Sequence, residues 1–489
     1  MSQLSATRLV THADAADGAA GHKLNRTLSA TALTMLGVGG TIGTGIFVLT
    51  GVAAAQYAGP ALVLSFIIAG AACALAGLCY AEFAAMIPIS GSAYSYTYAT
   101  LGEAMAWFIG WNLILEYLFA VATVSVGWSA YVSSLLSQFG MPIPSALSNA
   151  PFVQAAPDGF SIVRSGAIFN VPAMLIVAAL ATVSFIGIRQ SARFNNAIVT
   201  LKVAVVVLFI VMGLGFVHHA NWHPFIPPNG GRIGLYGWSG VFAASGVIFF
   251  AYIGFDAIST TAQETRNPQR NMPIGILSSL IVCTVLYVAV SAVLTGMVSY
   301  KELNVAAPIA LALDAYPQLR WFAVPVKLGA IFGMTSVMLV QIIAQARIFY
   351  SMAQDGLLPP AFGRVHSKFR TPSTGTLVTA LFGALMGGLL PVGLLGQLVS
   401  IGTLIAFATV CVGVLVLRYR RPEVHRPFKV PAPGITCPAG TAVCLVMIFY
   451  LPHGTWIRLL IWTAIGTAVY VLYGYRHSNL HASGATPAR

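Results

Sequence analysis

The run "MLGVGGTIGTGIF" (35–47) is the first place where this chain could do chemistry. It carries Gly37, Gly39, Gly40, Gly43 and Gly45 inside a stretch with no charge from Thr27 to Ala81. Three uses of the glycines compete. A dinucleotide fingerprint fails, because the spacing after Gly37-x-Gly39 is wrong and no strand precedes it. Close helix packing suits Gly37 and Gly51, since small residues let backbones approach in lipid. A discontinuous helix suits 42–45, because glycine lets the backbone leave the helical ladder there. Freed backbone groups in a membrane are tolerated only where they line a cavity. Freed amides at a half-helix N-terminus attract a carboxylate, and freed carbonyls attract an ammonium. One small molecule that offers both is an amino acid.

A second break tests the third use. "GVIFFAYIGFDAIS" (246–259) places Gly254 and Asp256 after Phe249, Phe250 and Tyr252 in the middle of another apolar segment, five segments later. Two interrupted helices at matching places are what an inverted five-plus-five repeat produces.

Ionisable groups inside apolar segments are costly and read first as functional. Glu82, Glu116, Asp256 and one well-embedded base, Lys202, fall in this class. Glu116 lies ~18 Å into its segment at 1.5 Å per residue, near mid-depth. It reads as a counter-charge in a cavity or as a polar contact between helices. Asp256 could meet a ligand directly, meet it through water, or cap freed amides. Glu82 reads as a structural or gating acid that pairs with an arginine of an inner loop. Phe250 is either a gate over the ligand or packing. Thr44 offers a hydroxyl to a carboxylate or back-bonds to its own helix. Lys202, in "NNAIVTLKVAVVV" (195–207), lies ~10 Å from the nearer end of its segment. It either snorkels to the headgroups or sits inside the bundle.

These groups need elements to hold them. Of 489 residues, 57% are hydrophobic and 8% charged, whereas a soluble protein carries about 25% charged residues. The apolar residues come in blocks of the length that crosses ~30 Å of hydrocarbon. We expect an all-α polytopic membrane protein with twelve spans, at 29–56, 60–87, 104–137, 168–188, 195–217, 239–262, 273–297, 321–353, 374–391, 393–417, 434–451 and 454–475. No cleavable leader pattern precedes the first. With the N-terminus inside, the inner segments hold seventeen Lys and Arg and the outer loops four (Arg164, Arg232, Lys301 and Arg320). Both termini are therefore expected in the cytoplasm. The same bias explains the net charge of +13 without nucleic acid. Cys73, Cys79, Cys283, Cys411, Cys437 and Cys444 have no metal spacing and read as free, packed thiols. His218, His219 and His223 read as a solvated outer loop, with no metal assigned.

Long ordered motifs carry a resemblance. "GGTIGTGIFVLTG" (39–51), "YAEFAAMIPISGSAYSYTYATLGE" (80–103), "GWNLILEY" (110–117), "FFAYIGFDAISTTAQETRNPQRNMPIGI" (249–276) and "ARIFYSMAQDGLLP" (346–359) closely resemble the amino acid–polyamine–organocation transporter superfamily. The nearest match is its cationic amino acid transporter family in bacterial form. The resemblance runs from about residue 25 to about 475. It implies a fold like the bacterial leucine transporter, with helices 1 and 6 discontinuous, ten core helices in two inverted repeats and two peripheral ones. The divisions would be a tail 1–27, repeats 28–217 and 218–418, a loop plus two spans 419–476, and a tail 477–489. It implies alternating access with no chemical step and no cofactor, driven by a proton gradient across the bacterial inner membrane. Partners would be an amino acid, cationic or small and neutral, the lipid bilayer and a small single-span accessory subunit. An exchanger of amino acids or polyamines is the alternative.

Carried onto this chain, the resemblance implies a substrate site of Ile42, Gly43, Thr44, Gly45, Glu116, Phe249, Phe250, Ala251, Ile253 and Asp256, with Phe250 as the gate. It also implies that Lys202 stands in for a sodium ion between spans one and eight. There it would donate to carbonyls near Gly40 or Thr41 and to a hydroxyl at Thr335 or Ser336. Holding and releasing a proton there would clamp and free span one.

Overall fold

The computed structural model describes residues 28–86, 92–154, 162–187, 192–256, 258, 261 and 265–479. The tail 1–27, Arg189 and residues 480–489 lie outside them. Each expected span corresponds to a helix or to broken helical pieces. Among the described residues, eight helices are long and apolar enough to cross a membrane, and three shorter apolar ones join them. The first of the eight, Gly45–Met86, is divided at Gly59, where φ is +60°, into the end of span one and span two. The result is an all-α, multi-pass bundle. Expected ends agree to within a few residues for spans three (Glu103–Gln138), eight (Arg320–Gln354), ten (Val392–Arg420) and eleven (Pro433–Tyr450).

Span six departs most. A discontinuous helix over 239–262 was expected, with its break at Gly254 and Asp256. The helix instead ends at Ile248, a tighter turn covers Phe249–Tyr252, and Ile253 is extended. Two helices lie outside the expected spans. Ser92–Leu101 precedes span three, and Pro308–Asp314 precedes span eight. Each is too short to register as a span. A two-stranded hairpin pairs Phe152–Gln154 with Ile162–Arg164 in the loop after span three.

Span three is the axis of the bundle. Its middle, residues 112–127, is buried without interruption, so the sequence there is apolar on every side rather than on one stripe. It lies against span eight through small residues. A side chain on Gly127 would strike Met334, and one on Gly110 would strike Met352. These two contacts fix an antiparallel register that puts Gln345 at the depth of Tyr117. Span twelve, mostly on the outside, is tied to span three by a reciprocal pair: Trp111 Nε1 donates to Trp462 O at 2.8 Å, and Trp462 Nε1 to Trp111 O at 3.0 Å. Indole N–H groups in an apolar setting need such acceptors.

The end of the bundle that carries the described chain ends is closed by ion pairs and polar ties. Arg418 grips Glu82 with Nε at 3.1 Å and Nη2 at 2.5 Å, Arg426 adds a 3.5 Å contact, and Val430 N–H donates to Glu82 at 2.7 Å. The arginine partner expected for Glu82 is thus present twice. Tyr94 donates to Asp355, and Glu103 accepts from Tyr470 and Ser478. At the far end Lys327 donates to both oxygens of Asp314, at 3.1 and 2.9 Å, and to Gln138. One embedded base was expected from the sequence. Among the described residues Lys327 is buried as well. Its partner lies in the short helix before span eight.

Candidate functional site

The first helix of span one, Ala30–Thr41, stops at Ile42, whose φ −72° and ψ 100° are extended. A second helix begins with wider turns at Gly45–Leu49 and continues through Thr50–Ala53. Glycine is required at Gly45, where a Cβ would lie 2.2 Å from Ala251 Cα. The last carbonyls of the first piece lack helical partners, and other spans supply them. Lys202 Nζ donates to Gly39 O at 2.6 Å, and Tyr287 Oη lies 3.0 Å from Thr41 O. The amides of Gly43, Thr44 and Gly45 open the second piece, where the helix dipole is positive.

The break in span six faces this one. Gly254 has φ +122°, a conformation open to glycine, and a Cβ there would lie 2.5 Å from Gly40 O. Phe250 N–H donates to Ser400 Oγ of span ten at 3.2 Å, and Ser400 donates in turn to Val247 O at 3.1 Å. Tyr287 Oη is 2.9 Å from Ala251 O as well. A phenol has one proton, so it bonds either Thr41 O or Ala251 O at any moment. Two broken helices thus turn one carbonyl each toward the same donor.

Asp256 caps a freed amide, one of its three expected roles. Its Oδ1 accepts Gly254 N–H at 3.0 Å and its Oδ2 accepts the Tyr117 hydroxyl at 2.9 Å. Glu116 is buried on span three, and its Oε1 has no hydrogen-bond partner among the described residues. Thr44 Oγ1 is likewise buried and without a hydrogen-bond partner among the described residues, as is Thr41 Oγ1, so Thr44 does not back-bond to its own helix. Ile42, Phe249, Phe250, Ala251 and Ile253 are all buried around the two breaks. The expected set therefore converges on one place. In this conformation it is shielded from bulk solvent.

Lys202 requires a correction. Snorkelling is not what it does, because the side chain is fully buried. Its acceptor is Gly39, one residue before the expected Gly40 or Thr41. Neither expected hydroxyl receives it. Thr335 lies on the face of span eight toward span three, where it accepts from Trp128 Nε1 at 3.0 Å, and Ser336 bonds back to Gly333 O. Span eight meets the lysine through its small surface instead: a Cβ on Gly333 would lie 3.2 Å from Lys202 Cε.

Three residues at the site escaped the sequence. Tyr287 carried a signal, since a tyrosine in mid-span must find a partner for its hydroxyl. Tyr117 stood next to Glu116 unremarked. Ser400 had none, because a serine in "LVSIGTL" ordinarily bonds its own helix. Above the second half of span one, a cavity of about 630 Å³ is lined by Val52, Gln56, Ala130, Asn304, Val392 and Gly393, among others. It lies toward the far end, over the closed site.

Taken together, these groups can hold a zwitterion. Amides at 43–45 would suit a negative group and the carbonyls of Thr41 and Ala251 a positive one, and buried Glu116 Oε1 has no hydrogen-bond partner among the described residues. Residues 26–474 match the model of a family described as amino acid permease. The chain is 47% identical to the methylthioribose transporter of Bacillus subtilis (strain 168), over 94% of this chain and 95% of the relative. It is 46% identical to the branched-chain amino acid permease BcaP of the same organism, over 94% and 95%. It is 37% identical to the vacuolar cationic amino acid transporter 4 of Arabidopsis thaliana, over 82% and 65%.

Proposed function

The chain belongs to the amino acid permease family, within the amino acid–polyamine–organocation superfamily, and from that premise we propose that it is a proton-coupled symporter importing amino acids by alternating access. It is a multi-pass membrane permease and not an enzyme. The observation that carries the reading is the meeting of the two breaks. An α-amino acid would give its carboxylate to the amides of Gly43, Thr44 and Gly45. Its ammonium would take the carbonyls of Thr41 and Ala251, which a single tyrosine proton cannot satisfy together. Glu116 would read the side-chain end with its free oxygen, and Phe250 would close over the substrate.

Lys202 supports the coupling. Protonated, it makes a charge-assisted bond to Gly39 O and lies along Gly333, which joins span one to span eight. The neutral amine bonds more weakly and would let span one swing away. That movement would open the site toward the end that carries the described chain ends, Leu28 and Asn479. From the distribution of Lys and Arg, that end is assigned to the cytoplasm.

A second reading is favoured by the identity to a methylthioribose transporter. Methylthioribose has neither a carboxylate nor an ammonium, so it would leave the groups at both breaks unmatched. A thermal-shift screen of purified protein against the twenty amino acids and methylthioribose separates the two. The proposal expects stabilisation by a subset of amino acids. Stabilisation by methylthioribose alone contradicts it.

A further inference from the structure

We propose that Ser400 is a positioning residue whose hydroxyl wedges span six open and thereby aims the Ala251 carbonyl at the substrate's ammonium. The inference rests on the amino acid reading above and deepens it.

In a regular tight turn Phe250 N–H would donate straight to Val247 O, three residues back. Ser400 Oγ stands between these two atoms, accepting from the first at 3.2 Å and donating to the second at 3.1 Å. A side chain inserted into a helical ladder is a known physical cause of a kink. The insertion comes at the residues where the helix ends at Ile248 and the tighter turn begins. Ser400 is fully buried, as are Val247 and Phe249, so no solvent competes for these bonds. Removing the hydroxyl would let the N–H and the carbonyl close on each other. The helix would then run on, and Ala251 O would turn along the helix axis, away from Thr41 O.

The placement has a counterpart. Span five sends Lys202 to the broken end of span one, and span ten, five spans later, sends Ser400 to the broken end of span six. The two spans perform the same mechanical task with different groups. A hydroxyl carries no charge to gain or lose, so the span-six half keeps one geometry while the span-one half can switch.

The ammonium is the part of the substrate this geometry serves, so the test compares an amino acid with its 2-hydroxy acid analogue. Binding of leucine and 2-hydroxyisocaproate is measured on purified wild type, Ser400→Ala, Ser400→Thr and Ser400→Cys, with the unliganded melting temperature of each recorded. Wild type should prefer the amino acid. Ser400→Ala should lose about tenfold of that preference, the size of one hydrogen bond to a charged group, by weakening leucine alone. Ser400→Thr keeps a hydroxyl and should restore the preference. If Ser400→Ala does not fold, Ser400→Cys, a weak donor and acceptor, should show an intermediate loss. An unchanged preference in a folded Ala or Cys variant, or an equal loss for both ligands, overturns the proposal. Wild type that binds neither ligand nor any other amino acid overturns the amino acid reading itself, and the role of Ser400 with it.

Discussion

The centre and the two ends of this bundle treat buried polar groups in opposite ways. At the ends, buried charges are matched. Glu82 has two arginines and a backbone amide, and Lys327 has a carboxylate and an amide oxygen. At the centre they are not. Among the described residues, Lys202 has a carbonyl but no carboxylate within 4 Å, and Glu116, Thr41 and Thr44 each keep an atom without a hydrogen-bond partner. Gln341 and Gln345, on span eight near the same depth, do likewise. A buried polar group left unpaired costs about 1–3 kcal/mol, so such a concentration is maintained only where something else supplies the partners. The ends therefore read as scaffold, and the centre as a site completed by a ligand and by motion.

The contrast can be broken by substitutions that move function without stability, or stability without function. The largest effect belongs to Gly43→Leu. A Cβ there already lies 3.2 Å from Val337, so a leucine fills the space between span one and span eight. Substrate binding should vanish while far-ultraviolet circular dichroism stays that of the wild type. Retained affinity would show that the breaks do not hold the ligand.

Glu116→Gln comes next. It removes the charge but keeps the shape, and it should weaken arginine or lysine by about 1–3 kcal/mol more than alanine. An equal loss for every substrate, read in competition binding, would move Glu116 to the scaffold side of the comparison.

The smallest effect is at the far-end pair, and it is asymmetric. Asp314→Asn leaves buried Lys327 with reduced compensation. The carboxylate is 43% exposed and Gln138 remains as an acceptor, so about 1–2 kcal/mol of stability should be lost. Lys327→Met leaves Asp314 to water and should cost less. Both should keep wild-type substrate preference in the same binding assay, and a changed preference would put the far end into the site.

How much of this was legible follows from the range of the signals. The spans were readable because apolar length is a local property. The two breaks were readable because glycine runs and the surrounding motifs announce them. The pairing of Glu82 with an inner arginine followed from a buried acid near a basic loop. Lys202 was found, but its acceptor was placed one or two residues late. One residue is 100° around a helix, and no local pattern fixes how span five meets span one. Lys327 was passed over because its partner sits in a seven-residue helix with no span-like signature. Ser400 was unreadable because its bonds reach 150 residues away.

The account stands on Lys202 as a switch between spans one and eight, and one measurement addresses it directly. Purified protein in sealed vesicles is given an inward-acid gradient with sodium absent, and uptake of a labelled amino acid substrate is followed for wild type and Lys202→Met. Wild type should concentrate the substrate. The Met variant, which fills the same space without a proton to carry, should bind it yet bring it only to equilibrium. Concentration of substrate by the Met variant under the gradient, or a wild type that works only with sodium, would contradict the account.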